Sequence, residues 1–377
     1  MATGRAISSG GCWMTSTITT ELSPAKLRPL SWHSKSADWW RSDSLTDQSV
    51  GSTERSRKPS AEPVPPRSQD LGAPLYIAWQ VTNECNLACL HCIEESGPGK
   101  AFRDEFDSHQ VFAFLQQVMD LDVPYLSFSG GEPIVHPQFF EMVEFVCARD
   151  GQLKIETNAH YLTTENCRRL KELGVKAVQV SLDGASRETF NRMRVRGDYD
   201  LAIEGVRNLQ AADVPIEINY SPTRFNVHEI GAAVDLAYEL GAYSFYTGRT
   251  MYTGNAVKTW HLLAPSEEQY VEYFRILHDK TEEYRGRLRV HFHEMGLLEE
   301  LRYRLKHPAA LLVVLPNGLV KLINALPFIC GDLRRQTLSE IWGNFHNAWK
   351  DPRIAEFVDE LATNPQKTSV LHKWVYL

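Results

Sequence analysis

From Leu75 onward, apolar and polar positions follow two alternating periods. Short runs of β-branched and aromatic residues are separated by stretches with apolar positions three and four residues apart, the marks of strand and amphipathic helix. The pattern predicts strands at Tyr76–Val81, Tyr125–Phe128, Leu153–Glu156, Ala177–Ser181, Ile216–Asn219 and Ser244–Tyr246. It predicts helices at Ser108–Asp120, Gln138–Arg149, Thr164–Leu173, Leu201–Ala211 and Ile230–Leu240. Strand and helix alternating through short connections imply a parallel sheet with right-handed crossovers. Six such units fit an open doubly wound sheet or a partial barrel, and periodicity alone does not choose. Small and polar residues collect after each strand, among them Thr82–Cys85, Ser129–Pro133, Thr157–Asn158, Asp183–Gly184 and Thr247–Arg249. Parallel α/β folds build their sites at that end.

The flanks read differently. Residues 1–74 hold 21 Ser or Thr, scattered Pro and mixed charge, without sustained apolar periodicity. Such a stretch cannot bury enough apolar surface to offset chain entropy, so disorder is expected there. Trp13, Trp32, Trp39 and Trp40 stand out in it. Residues 251–377 read as a small α+β extension of the core at 75–250. Pro265–Tyr284 is a long amphipathic helix and Arg289–His293 alternates like an edge strand. Pro316-Asn317-Gly318 between two apolar runs signals a hairpin. Thr337 and Glu340 form a capping box before another helix.

The net charge of −7 argues against a general nucleic-acid binder, which needs a basic face. No apolar run is long enough to span a bilayer, and the first residues lack the apolar core of a secretory signal, so a cytoplasmic protein is expected. Seven cysteines in 377 residues are too few and too odd for a secreted disulfide framework. Three of them, Cys85, Cys89 and Cys92, fall within eight residues as C-x3-C-x2-C. Three thiolates on one tight loop can hold three irons of a cubane cluster, and the fourth iron then stays open for another ligand. Zinc and buried structural cysteines are the competing readings, though structural cysteines rarely recur three times in eight residues directly after a strand. His91 lies inside the motif, but no second Cys or His pair follows at finger spacing.

This loop after the first strand, with Gly130-Gly131-Glu132-Pro133 after the second, resembles the radical S-adenosylmethionine (SAM) enzyme superfamily over roughly residues 75–250. The resemblance implies a partial (βα)6 TIM-type barrel, Cys85, Cys89 and Cys92 as ligands of one 4Fe-4S cluster, and SAM chelating the open iron. It implies reductive cleavage of SAM to methionine and a 5′-deoxyadenosyl radical, chemistry that belongs to the cofactor. It gives Gly130 and Gly131 the role of letting backbone approach the ligand, and Glu132 that of accepting from the SAM ammonium. Ser181-Leu182-Asp183-Gly184 resembles a fourth-strand motif of the family, with Ser181 expected at SAM and Asp183 at the ribose or the substrate. Arg194, with Arg196 as rival, is expected to pair with the SAM carboxylate. His91 stands where the family usually has an aromatic residue.

The C-terminal residues Leu315–Val320, Cys330–Leu333 and Leu338–Trp342 are similar to the SPASM-type extension of peptide and cofactor maturases. That module binds auxiliary clusters through many cysteines, whereas here only Cys330 follows residue 167. A SPASM-like scaffold without auxiliary metal is therefore expected, with Cys330 as a buried small hydrophobe. His291, His293 and Glu294 have metal-ligand spacing, but a solvated strand edge is the plainer reading. Arg249, Tyr252, Lys258 and Lys321 are candidates for gripping an anionic substrate. The expected function is hydrogen abstraction from a peptide or small-molecule substrate in ribosomal peptide, natural-product or cofactor maturation. The expected electron donor is a flavodoxin or ferredoxin. The alternative is a non-catalytic Fe–S electron carrier or iron sensor.

Overall fold

Among the described residues, eleven strands and eleven α-helices follow one another. The first six strand–helix units are β1 (Tyr76–Thr82), α1 (Ser108–Asp120), β2 (Tyr125–Gly130), α2 (Phe139–Cys147), β3 (Leu153–Thr157), α3 (Thr164–Leu173), β4 (Ala177–Ser181), α4 (Arg187–Met193), α5 (Tyr199–Ala211), β5 (Ile216–Tyr220), α6 (Ile230–Glu239), β6 (Ser244–Gly248) and α7 (Asn255–Leu263). The remainder comprises α8 (Glu267–Glu283), β7 (Arg289–His293), α9 (Leu297–Lys306), β8 (Leu311–Val314), β9 (Leu319–Lys321), β10 (Phe328–Asp332), α10 (Leu338–Ala348), α11 (Pro352–Thr363) and β11 (Val375–Tyr376). The structure, a computed structural model, describes residues 68–370 and 373–377. The expected disorder of 1–74, with Cys12 and the four early tryptophans, lies outside the described residues up to position 67. Ser68 and Leu71 already contact the fold. Ser68 donates to the Pro308 carbonyl, and Trp342 donates to the Leu71 carbonyl at 2.9 Å.

Strand order decides between the two sheet types left open by periodicity. The strands run β11-β10-β9-β8-β1-β2-β3-β4-β5-β6-β7, and all pairs from β1 to β7 are parallel. A doubly wound sheet needs a reversal of strand order. From β1 to β7 there is none, so right-handed crossovers put the helices on one face and leave the other as a barrel lumen. The outer face is apolar: Ile77, Trp79, Phe128, Ile155, Val178, Ile218 and Phe245 are buried. Trp79 packs edge-on against Phe114 and Phe128. The lumen face is polar. In-register partners carry Ser127, Lys154, Glu156, Gln179, Glu217, Tyr246 and His291 around it.

The extension continues this sheet at both ends. β7 pairs with β6, and β8 pairs with β1 from Tyr76 to Trp79. The hairpin forms at Asn317-Gly318, joining β8 and β9. Thr337 and Glu340 make the capping box of α10. His293 of β7 and Val313 of β8 line one cavity, so the curled sheet brings its two flanks together.

Candidate functional site

The loop after β1 carries the three cysteines, and backbone hydrogen bonds hold it from two sides. At the end of α4 and just beyond it, the carbonyls of Met193 and Val195 accept from the amides of Leu90 and Ala88. At the start of α7, Asn255 donates its amide to the Cys92 carbonyl and its side chain to the Cys89 carbonyl. Thr259 donates to the Leu90 carbonyl at 2.9 Å. Gly254 permits this clamp. A Cβ there would lie 2.4 Å from the Cys92 carbonyl oxygen, and its φ of +57° disfavours other residues.

The thiols fit a metal cluster. Cys85 is buried and Cys89 and Cys92 are half-buried. Burial pushes the Cys85 and Cys89 thiols up to about 12 and raises Cys92, so thiolates require a cationic partner such as a metal. Hydrogen-bond donors already point at sulfur. The Leu87 amide lies 3.4 Å from Cys85 Sγ, Asn158 Nδ2 3.8 Å from the same atom, and Arg194 3.9 Å from Cys89 Sγ. A cubane spreads its thiolates over separate irons.

The Gly-Gly-Glu turn after β2 docks on this loop. Gly131 and Glu132 donate their amides to the carbonyls of Thr82 and Glu84 at 2.8 and 2.9 Å. A Cβ on Gly130 would lie 2.4 Å from Thr82 O, and one on Gly131 2.0 Å from Glu84 O. The space freed by the missing side chains is thus filled by the cysteine loop's own backbone. Glu132 is fully buried. Its carboxylate accepts from Thr157 Oγ1, the Asn158 amide and the Ile134 amide. Burial pushes its pKa up to about 7, against these hydrogen bonds. Thr157 and Asn158, placed near the site only by topology from sequence, join Glu132 to Cys85.

Asp183, after β4, has partners that sequence reasoning did not supply. Its Oδ2 lies 2.9 Å from His91 Nε2 and 2.6 Å from an Arg194 nitrogen, all three groups being buried. Its Oδ1 accepts from the Ser221 amide at 2.8 Å. Burial opposes the charge, yet Arg194 and His91 hold the carboxyl well below the usual carboxylate range. The expected ribose contact of Asp183 and SAM-carboxylate contact of Arg194 thus fall on side chains that already pair with each other. Arg196 is exposed, which separates the two arginines. Ser181 ends β4 on the lumen face, in register with Asn219.

The other candidates divide. His291 and His293 are half-buried on the lumen face of β7, with His291 stacked on Tyr246 at 4.9 Å, so the solvated-edge reading is corrected. Glu294 turns outward to His278. Cys330 packs on β10 with its thiol 3.4 Å from the Val320 carbonyl, as a small core residue does. No helix among the described residues is long and apolar enough to cross a membrane.

Known proteins resemble this chain in sequence and fold. The model of the radical SAM superfamily matches residues 79–237. The chain is 32% identical over 288 residues to mycofactocin maturase MftC of Mycobacterium tuberculosis, covering 75% of this chain and 72% of that one. It is 32% identical over 207 residues to the AdoMet-dependent heme synthase of Methanosarcina barkeri, covering 55% and 57%. Its fold is similar to Streptococcus suis SuiB bound to S-adenosylmethionine, with a TM-score of 0.61 at 15% identity over 76% of this chain and 68% of that one. SuiB has also been solved with its precursor peptide SuiA, with a TM-score of 0.62 at 14% identity over 75% and 67%. The chain belongs to the radical SAM superfamily, enzymes that use a 4Fe-4S cluster to cleave S-adenosylmethionine.

Proposed function

We propose that this enzyme matures a peptide, natural product or cofactor by removing hydrogen from a substrate held in the barrel lumen. The cysteine loop at the C-terminal end of β1, clamped by the end of α4 and by α7, carries the reading. Cys85, Cys89 and Cys92 would hold the cluster, leaving one iron for SAM. Bound there, the cluster would supply the electron for reductive cleavage of SAM. The protein's part is to position and shield. Asn158 and Arg194 donate toward sulfur, which steadies thiolate charge. The Gly130–Glu132 turn fixes the cysteine loop from the β2 side. Ser181, Asp183 and Arg194 form the wall at the end of β4. A flavodoxin or ferredoxin would deliver the electron. One cluster is proposed, because Cys330 is the only cysteine after residue 167 and a cluster wants four ligands.

The relatives support maturation as the setting. MftC is named a maturase, and SuiB has been captured with a precursor peptide. Nothing in the site favours the electron-carrier alternative, which has no use for an open iron. Anaerobic reconstitution with dithionite and SAM tests the reading. 5′-Deoxyadenosine is expected, and its absence despite about four irons per chain would sink the proposal. Changing Cys85, Cys89 and Cys92 to Ala is expected to abolish iron binding. Iron near the wild-type level in that variant would show that the ligands are others.

A further inference from the structure

The cavity where the two flanks of the sheet meet contains a carboxylate that the cysteine site does not use. The loops after β6 and β7 line this cavity through Met251 and Leu297, β8 through Leu311 and Val313, and the turn after β9 through Ile323. It spans about 590 Å³ with its mouth included, within the range of small-molecule sites. Strands β1 to β7 are parallel, so the loops after β6 and β7 lie at the same end of the sheet as the cysteine loop after β1.

The buried acid is Glu300, in the first turn of α9 and 5% exposed. Its Oε1 accepts from Arg304 Nε at 2.7 Å, one helical turn further on. Its Oε2 is buried and has no hydrogen-bond partner. Asn324 lines the same cavity, and its Oδ1 has none either. A carboxylate oxygen taken from water and left unpaired costs free energy that a donor on a ligand would recover.

The charges beside the cavity are already matched. Arg304 neutralises Glu300. Arg249, also in the lining, pairs with Glu267 and donates to the Glu294 carbonyl. His293 hydrogen bonds with the Met295 backbone, and burial brings its pKa down to about 4, so the ring is neutral. The other groups that the sequence offers for an anionic substrate do not line the cavity. Lys258 is exposed and paired with Glu95, and Tyr252 packs edge-on against Trp260. Lys321 is buried, forms no ion pair among the described residues, and donates to the Asn324 carbonyl at 2.9 Å. An anion in the cavity would face the bare Oε2, and a cation would compete with Arg304. A neutral donor meets neither obstacle.

We propose that this cavity receives an apolar group of the substrate tipped by a neutral hydrogen-bond donor, which donates to Glu300 Oε2. Hydroxyl, indole N–H and primary carboxamide share that chemistry. The proposal rests on the reading that substrate enters the lumen from the cysteine-loop end.

Three matched pairs of probes test this by calorimetry and saturation-transfer NMR on the reconstituted holoenzyme with saturating SAM. 4-Ethylphenol is compared with 4-ethylanisole, 3-methylindole with 1,3-dimethylindole, and hexanamide with N,N-dimethylhexanamide. Each methylated partner keeps the apolar body and loses the donor. The donor of at least one pair is expected to bind about tenfold or more tighter than its partner, and the pair that discriminates identifies the tip. Hexylammonium and hexanoate are expected to bind more weakly than that donor. Glu300→Gln, in which an amide nitrogen can replace Oε2, is expected to erase the preference. Val313→Phe narrows the cavity and leaves the Glu300–Arg304 pair in place. It is expected to lose binding of every probe with iron content and melting temperature unchanged, and it decides the matter if Glu300→Gln fails to fold. Equal binding within all three pairs by the wild type overturns the proposal without any variant, and so does tighter binding of hexylammonium or hexanoate. A preference that survives in folded Glu300→Gln or in Val313→Phe places the donor's partner elsewhere and overturns it too. 5′-Deoxyadenosine formation by the wild type is scored separately, so failure of the enzyme reading is told apart from failure of the cavity.

Discussion

Gly131 lies so close to the cysteine loop that a single methyl group would strike the Glu84 carbonyl at 2.0 Å. Gly131→Ala is therefore expected to cost at least about 2 kcal/mol and to lower iron content, read by denaturant unfolding and an iron assay. Gly254→Ala meets the other side of the same loop and adds backbone strain of about 1–3 kcal/mol. A variant of either kind with wild-type iron and stability would show that the clamp is dispensable. Glu132 allows a test by pH. Its pKa is about 7 in the folded chain, above the ordinary 4.5. The folded state therefore favours the protonated form. Its stabilising contribution is complete below about 4.5 and is lost as pH rises through 7, a cost of up to about 3 kcal/mol. Stability of the metal-free chain, followed from pH 5 to 8, should fall more in the wild type than in Glu132→Gln. Parallel curves would refute the buried charge. The residue types of this site were legible from spacing alone. What the glycines make room for was not, because Thr82 and Glu84 meet them only after β1 and β2 pair.

At the scale of elements, the ends of β1, β4 and α4 are joined through Asp183. His91 and Asp183 are 92 positions apart in the chain, and no local pattern links them. The ion pair is buried, so breaking it leaves a charge without compensation. Asp183→Asn is expected to destabilise the chain by about 3 kcal/mol and to speed loss of iron under chelator. Unchanged chelation kinetics would remove Asp183 from the support of the cysteine loop. Elements with clean local signals matched their expected bounds. Thr164–Leu173 has Thr163 as N-cap and Gly174 as stop, and Ser108–Asp120 has a capping box at Asp107 and Gln110. α7 was not expected. It has no side-chain N-cap, and its first turn is held by the cysteine loop instead. β10 was not expected either, because Cys330 and Gly331 are weak strand signals and its pairing with β9 is what makes it a strand.

For the whole molecule, the same sheet serves core and extension. Ending the chain at residue 250 would strip β8 from Tyr76–Trp79 and β7 from Ser244–Gly248. A truncated 75–250 chain is expected to aggregate through these bare edges, as read by soluble yield and size-exclusion chromatography. A soluble monomer with a cooperative thermal transition would instead support 75–250 as a domain in its own right. By itself the sequence determined the strand–helix alternation, the cysteine loop after the first strand and the Gly-Gly-Glu turn after the second. These depend on periodicity and on neighbours a few residues apart. Even the polar lumen was written there, in the alternation of LKIET, IEINY and RVHFH, although only strand order says which face is closed. Tertiary structure alone decided that His91, Asp183 and Arg194 meet, that Arg249 and Lys258 are neutralised, and that Lys321 is not. Charge compensation depends on which strands become neighbours, and that is settled when the sheet curls.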